Sequence, residues 1–235
     1  IRGLEVVGLM SHAGHVAAAA SPQALAQAAR RAAEQLVETA ELLRRRGLPI
    51  QHVSPGSTPG ARFEAQVPGV TEIRPGTYVF NDRNTVDRWA AAEEDCALTV
   101  LATVVSRPAP DRAIIDAGSK VFSSDPAVCG DGTFGRVLGW PGAKLQRLSE
   151  EHGILILEPS AAAAPDGANG GTGTAESAAA PAPGGTGAGG LRVGDRLHII
   201  PNHVCTAVNL SDVLYGYRDG RVVREIPVAA RGKYR

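Results

Sequence analysis

The run SPQALAQAARRAAEQLVETAELLRRRGLPIQHVS, residues 21–54, decides the first half of the fold. Ser21 followed by Pro22 is a helix start: a capping side chain, then a residue whose missing N–H is not needed in the first turn. Ala24, Leu25, Ala28, Ala32, Leu36, Ala40 and Leu43 form one apolar stripe at helical spacing, and Gly47 ends the helix at Arg46. Before it, LEVVGLM (residues 4–10) reads as a buried strand; at its end, IQHVS (residues 50–54) reads as a second. Strand, crossover helix and strand make a right-handed βαβ unit, with ligands expected at the carboxyl ends of the strands. The loops SHAGH (residues 11–15) and PGSTPG (residues 55–60) fall there.

Farther along, after a short helical stretch near Trp89, the pattern turns to β. CALTVLATVVS (96–106), RAIIDAG (112–118), GILILE (153–158), RLHII (196–200) and VLYGYRDGRVVREIPV (213–228) are rich in β-branched residues, and Asp219-Gly220 is a hairpin signal. The boundary is placed between Arg83 and Asp95, giving an α/β part over residues 1–90 and a β-rich part over residues 91–235. Residues 159–190 are almost wholly Ala, Gly, Pro, Ser and Thr and are expected to be a disordered loop without chemistry.

Lys+Arg and Asp+Glu both total 24, so no net field favours nucleic acid or an anionic membrane. With no apolar run of membrane length and no signal peptide, the cytoplasm is the expected compartment. Cys96, Cys129 and Cys205 are an odd, irregularly spaced set, which argues against a disulfide framework. The chain opens at Ile1 without a methionine and enters a strand at once, as a piece of a longer protein does.

Six stretches carry candidate chemistry. HIIPNHVCTAVNL (198–210) reads as a strand, in which alternation puts His203 and Cys205 on one face, either as metal ligands or as a packed thiol beside a hydrogen-bonded imidazole. In SPGSTPG the glycines let backbone N–H groups approach an oxyanion and Ser57 and Thr58 add hydroxyls; the loop is a phosphate cradle or a plain turn, and no Walker lysine follows. RPGTY offers Gly76 and Thr77 at the start of a strand-like run, with Tyr78 beside them, as further donors or as another turn. His12 and His15, Asp116 and Lys120 of DAGSK, and His152 lie in loops, where solvated or turn-forming roles compete with catalytic ones.

GLMSHAGH, VSPGSTPG, TEIRPGTYVFND, DAGSK, SEEHG, VGDR, PNHVCTAVNL and VAARGKYR, in this order, resemble the D-serine dehydratase and D-threonine aldolase family. These are alanine-racemase-like, fold III pyridoxal-phosphate enzymes. The resemblance implies an α/β fold in which a partial (β/α)8 TIM-type barrel is followed by a C-terminal β-rich, metal-binding domain. It implies pyridoxal phosphate contacted by Ser57, Thr58, Gly76 and Thr77, and a metal held by His203 and Cys205. A thiolate in the second ligand place selects zinc, as in the dehydratases, where the aldolases carry aspartate and a harder ion. The implied reaction is β-elimination of D-serine to pyruvate and ammonia, with a lysine Schiff base and zinc polarising the β-hydroxyl. The alternatives are retro-aldol cleavage to glycine and an aldehyde, and a non-catalytic cofactor-binding role. A homodimer acting on a small D-amino acid is expected, without nucleic-acid or membrane partners.

Two departures from the family bear on activity. Lys120, Lys144 and Lys233 do not match the context of the Schiff-base lysine, so this stretch of chain alone is expected to be inactive. Met10 and Ala17 stand where relatives commonly carry cofactor-facing tyrosines.

Overall fold

The computed structural model describes residues 3–158 and 190–233; the low-complexity segment 159–190 lies outside the described residues apart from Gly190. The chain divides into two compact units, Ile1–Ala97 and Leu98–Arg235.

In the first unit, β1 (Gly8–Met10) and β2 (His52–Ser54) pair in parallel, joined by α1 (Pro22–Arg45). Ser21 Oγ accepts from the Ala24 amide at 3.1 Å, so the cap read from Ser21-Pro22 is formed. The fully buried face of α1 is Leu25, Ala29, Ala33 and Ala40, while Ala28 and Ala32 flank it half-buried; the stripe is centred one position later than the sequence suggests. Ala40 packs with Ile50 and Val53 against Leu9, which ties the helix to both strands. The buried first strand is corrected. Only three residues pair, and Leu4, Val6 and Met10 are 71%, 53% and 69% exposed. Among the described residues β1 has a partner on one edge only, and α1 covers the face that carries Leu9.

A short α2 (Ala61–Glu64) and α3 (Arg83–Asp87) complete this unit. The strand-like run expected from Gly76 onward is a single 3-10 turn, Thr77–Val79. Pro75-Gly76 breaks extended pairing, and Asp82 then starts a helix: its side chain accepts from the Thr85 amide while Thr85 Oγ1 accepts from the Asp82 amide, both at 2.8 Å.

The second unit is a closed antiparallel barrel of six strands in the order β3-β4-β7-β6-β5-β8. These are β3 (Val100–Ala109), β4 (Arg112–Ile115), β5 (Gly135–Val137), β6 (Ala143–Leu148), β7 (Gly153–Leu157) and β8 (Arg196–Pro201). Val100, Ala102 and Val104 alternate inward on β3 and meet Ile115, Leu145, Leu155, Leu197 and Ile199, so side chains fill the barrel. α4 (Ser119–Phe122) contributes Phe122 to that core, and α5 (Val204–Leu210) follows β8. β9 (Val213–Arg218) and β10 (Arg221–Pro227) form a separate hairpin. Its turn has φ of 51° at Asp219 and 74° at Gly220, the two positive values that an Asp-Gly hairpin turn supplies. No helix among the described residues is long and apolar enough to cross a membrane.

Candidate functional site

The glycine loop begins where β2 ends. Val53 through Gly56 are buried, and the turn from Ser57 to Gly60 closes with the Gly60 amide donating to Ser57 Oγ at 3.2 Å. Arg74 ties the loop ends together: its Nε donates to Ser54 Oγ at 2.9 Å, and its Nη2 to the carbonyls of Ser54 and Ser11. One guanidinium therefore joins the carboxyl ends of β1 and β2 to the RPGT turn. Thr58 Oγ1 is buried without a hydrogen-bond partner, and the space around the Gly76 Cα is open. A hydroxyl left without a partner in a glycine loop is what a phosphate oxygen would satisfy.

Beneath this loop lies Glu64, fully buried, with neither carboxylate oxygen hydrogen-bonded. A Cβ added at Gly60 would come within 2.6 Å of Glu64 Oε1 and 2.9 Å of Ser57 Oγ, so the carboxylate lies directly against the loop. Burial raises its pKa, opposed by the charges of His12 and Arg74. The folded state then holds its proton more tightly than the unfolded chain, so stability is lost as pH rises from the ordinary glutamate range through the raised value. Glu64→Gln is expected to stabilise the protein at neutral pH and to give no gain in acid. Denaturant titrations at several pH values check this, and a gain independent of pH would refute it.

The His203–Cys205 pair is built differently from the expected strand face. β8 stops at Pro201, His203 caps α5 with an extended backbone (φ −133°, ψ 104°), and Cys205 lies in the first helical turn. The strand-to-helix bend, not the pleat, lets the thiol and imidazole hydrogen-bond. Asn202 holds the bend from inside. It is fully buried, and its Nδ2 donates to the carbonyls of Thr133 at 2.7 Å and Asp125 at 3.0 Å.

His203 Nδ1 lies 2.7 Å from Asp125 Oδ2. The bond to Cys205 and then the bond to Asp125 push the imidazole pKa up to about 9 against the effect of burial. Asp125 is held below the usual carboxylate range: burial works against its ionisation, and the bonds from His203 and Thr206 outweigh that. With Nδ1 engaged by Asp125, a metal at His203 would take Nε2. Among the described residues no group of three or more His, Cys, Asp or Glu is gathered as ligands.

The other sequence candidates have structural partners or exposed positions. His12 and His15 are exposed, the latter in the 3-10 turn Gly14–Ala18. Asp116 Oδ1 accepts from the Thr103 amide at 2.6 Å, and Lys120 pairs with Glu151 at 2.7 Å on the surface. His152 closes a turn through its amide to Ser149 Oγ. Met10 is exposed and Ala17 half-buried. Sequence reasoning passed over Arg74, Glu64 and Asp125. Arg74 stands inside the quoted TEIRPGTYVFND motif; Asp125 is 78 residues from His203, and no spacing pattern connects them.

The βαβ unit with a glycine loop at its carboxyl ends, and the barrel with a His-x-Cys pair, define an alanine-racemase-like α/β protein with a β domain. Residues 1–84 match the alanine racemase N-terminal domain and residues 97–217 the putative serine dehydratase domain. The chain belongs to the D-serine dehydratase and D-threonine aldolase family of fold III pyridoxal-phosphate enzymes, a family of D-amino-acid lyases. It is 33% identical to D-threonine aldolase of Arthrobacter sp over 98% of this chain and 52% of that relative. It is 37% identical to D-threo-3-hydroxyaspartate dehydratase of Delftia sp. (strain HT23), over 86% of this chain and 50% of that one. The solved structure of that dehydratase superposes with a TM-score of 0.77 at 33% identity, covering 96% of this chain and 57% of its own. It has also been solved as a histidine-to-alanine mutant and, in the metal-free form, as a cysteine-to-alanine mutant two residues further on. The chain spans about half the length of the curated relatives it matches.

Proposed function

We propose that the protein is a pyridoxal-phosphate- and zinc-dependent D-amino-acid lyase of the D-serine dehydratase type, removing the β-hydroxyl of a D-3-hydroxy amino acid. The observation that carries this reading is the Cys205 thiol hydrogen-bonded to the His203 imidazole, a soft donor beside a nitrogen donor, the set that favours zinc. The mutated His and Cys of the Delftia dehydratase have the same spacing as His203 and Cys205, which supports assigning them the same task.

The residues present fit both groups. Thr58 Oγ1, whose donor is unpaired, together with Ser57 and the turn at Gly76 and Thr77, would hold the cofactor phosphate, and Arg74 would keep that loop against the ends of β1 and β2. His203 and Cys205 would hold zinc with positions left open for substrate. When bound, the cofactor supplies an electron sink for the bond broken at Cα and zinc a Lewis acid for the departing hydroxyl. Lys120 and Lys144 are engaged in surface ion pairs with Glu151 and Glu158, which supports the reading that neither is the Schiff-base lysine. Within this reading β1, α1 and β2 are rungs of a TIM-type barrel, and the enzyme is a cytoplasmic homodimer.

A second reading, retro-aldol cleavage, is favoured by the match to D-threonine aldolase over nearly the whole chain. The two differ in whether Cβ–O or Cα–Cβ breaks. Full-length protein supplied with both cofactors is expected to release pyruvate from D-serine. Acetaldehyde from D-threonine without any pyruvate from D-serine would replace the first reading by the second.

A further inference from the structure

We propose that Asp125 is the positioning residue of the metal pair: its carboxylate fixes the His203 ring so that Nε2 is presented together with the Cys205 thiol. The inference rests on the metal reading above and adds a residue to it.

The geometry converges on one oxygen. His203 Nδ1 lies 2.7 Å from Asp125 Oδ2, and Thr206 Oγ1 lies 3.0 Å from the same atom. Thr206 is next to Cys205 in α5, and its hydroxyl is also within reach of Ser123 Oγ and of the His203 carbonyl. Asp125 thus touches the histidine directly and the cysteine's helix through the following residue.

Asp125 is itself held. Its amide donates to Ser123 Oγ at 3.1 Å, and its carbonyl accepts from the buried Asn202 amide. Ser123 has φ 63°, a conformation that non-glycine residues rarely adopt, and it is the residue that turns the chain out of α4 toward Asp125. The side chains of His203 and Asp125 are 40% and 39% exposed, so their attraction is screened. The main contribution is therefore orientation: a ring held through Nδ1 keeps one tautomer and one direction for Nε2, which is how outer carboxylates tune metal-binding histidines.

The test uses zinc and cobalt as probes on the whole protein carrying Asp125→Ala or Asp125→Asn, with His203→Ala as control. Zinc affinity is read by competition with a chromogenic chelator, and the site by the cobalt absorption spectrum. Asp125→Ala is expected to weaken zinc binding about 10–100-fold, the usual effect of losing such a partner. The thiolate-to-cobalt band should remain at saturating metal while the ligand-field bands shift and broaden. Asp125→Asn keeps an acceptor for Nδ1–H, so it should recover part of the loss, a rescue that a merely structural role does not predict. It also keeps the test open should the alanine variant not fold. Wild-type affinity and an unchanged cobalt spectrum in both variants overturn the inference alone. Absence of stoichiometric metal from the wild type overturns the metal reading and this inference with it.

Discussion

Replacing Cys205 by alanine is expected to remove tightly bound zinc while leaving thermal unfolding nearly unchanged. The two effects separate because of where Cys205 lies. It is exposed, in the first turn of a short helix whose buried residues are Val204 and Ala207. Alanine is the best helix former, so the substitution removes a donor without opening a cavity. Structural zinc sites with four ligands bind with about 10–16 kcal/mol in total, roughly 3 kcal/mol per ligand. Losing one ligand then weakens binding by about a hundredfold or more. The loss should be larger where only two protein ligands share the ion, because the remaining imidazole holds it alone. Elemental analysis after dialysis and a thermal scan read the two effects independently. Cys205→Asp supplies the harder donor and should shift preference from zinc toward manganese or magnesium. Full zinc stoichiometry in the alanine variant would falsify the ligand assignment.

How far the sequence could be read depends on how local each signal is. The long helix was legible because Ser21, Pro22 and a 3.6-residue stripe act within one element, and the hairpin because Asp219-Gly220 specifies its own turn. The closure of the barrel was not legible. β5 and β6 are a three-residue strand and a six-residue strand interrupted by a bulge, separated by Leu138 to Gly142 with its Gly and Pro residues. Their alternation is too short to stand out, and which strand pairs with which is decided by contacts far apart in sequence. The expected strand face for His203 and Cys205 is instead a strand-to-helix bend, because PNHVC has the composition of a strand end and the composition of a helix start. Arg74 reaches Ser11, 63 residues away, and Asp125 meets His203, 78 residues away, while Glu64 lies against Gly60 across a folded-back loop, and none of those contacts leaves a spacing pattern. The carboxylate against Gly60 could be recognised only once burial was known.

Phe122→Ala is expected to destabilise the β-barrel unit by about 3–5 kcal/mol, a large part of the ~5–15 kcal/mol available to an ordinary domain. Phe122 is 1% exposed, belongs to the barrel's central cluster, and lies against Gly135, where an added Cβ would meet its ring edge at 3.7 Å. It ends α4, and the next residue, Ser123, turns the chain toward Asp125. The cavity would therefore open under the segment that orients His203, and metal affinity should fall along with stability. Leu101→Ala is the control. It removes an equally apolar side chain from the same barrel, but from the outer face of β3, where Leu101 is 51% exposed, and it should cost below about 1 kcal/mol. Urea titrations compare the two, and zinc competition on the folded variants reads the second effect. Equal losses for both variants would show that Phe122 does not fill the core as its burial indicates. A large loss of stability with unchanged zinc affinity would instead show that the Ser123–Asp125 segment keeps its geometry without the ring beneath it, held by its own hydrogen bonds.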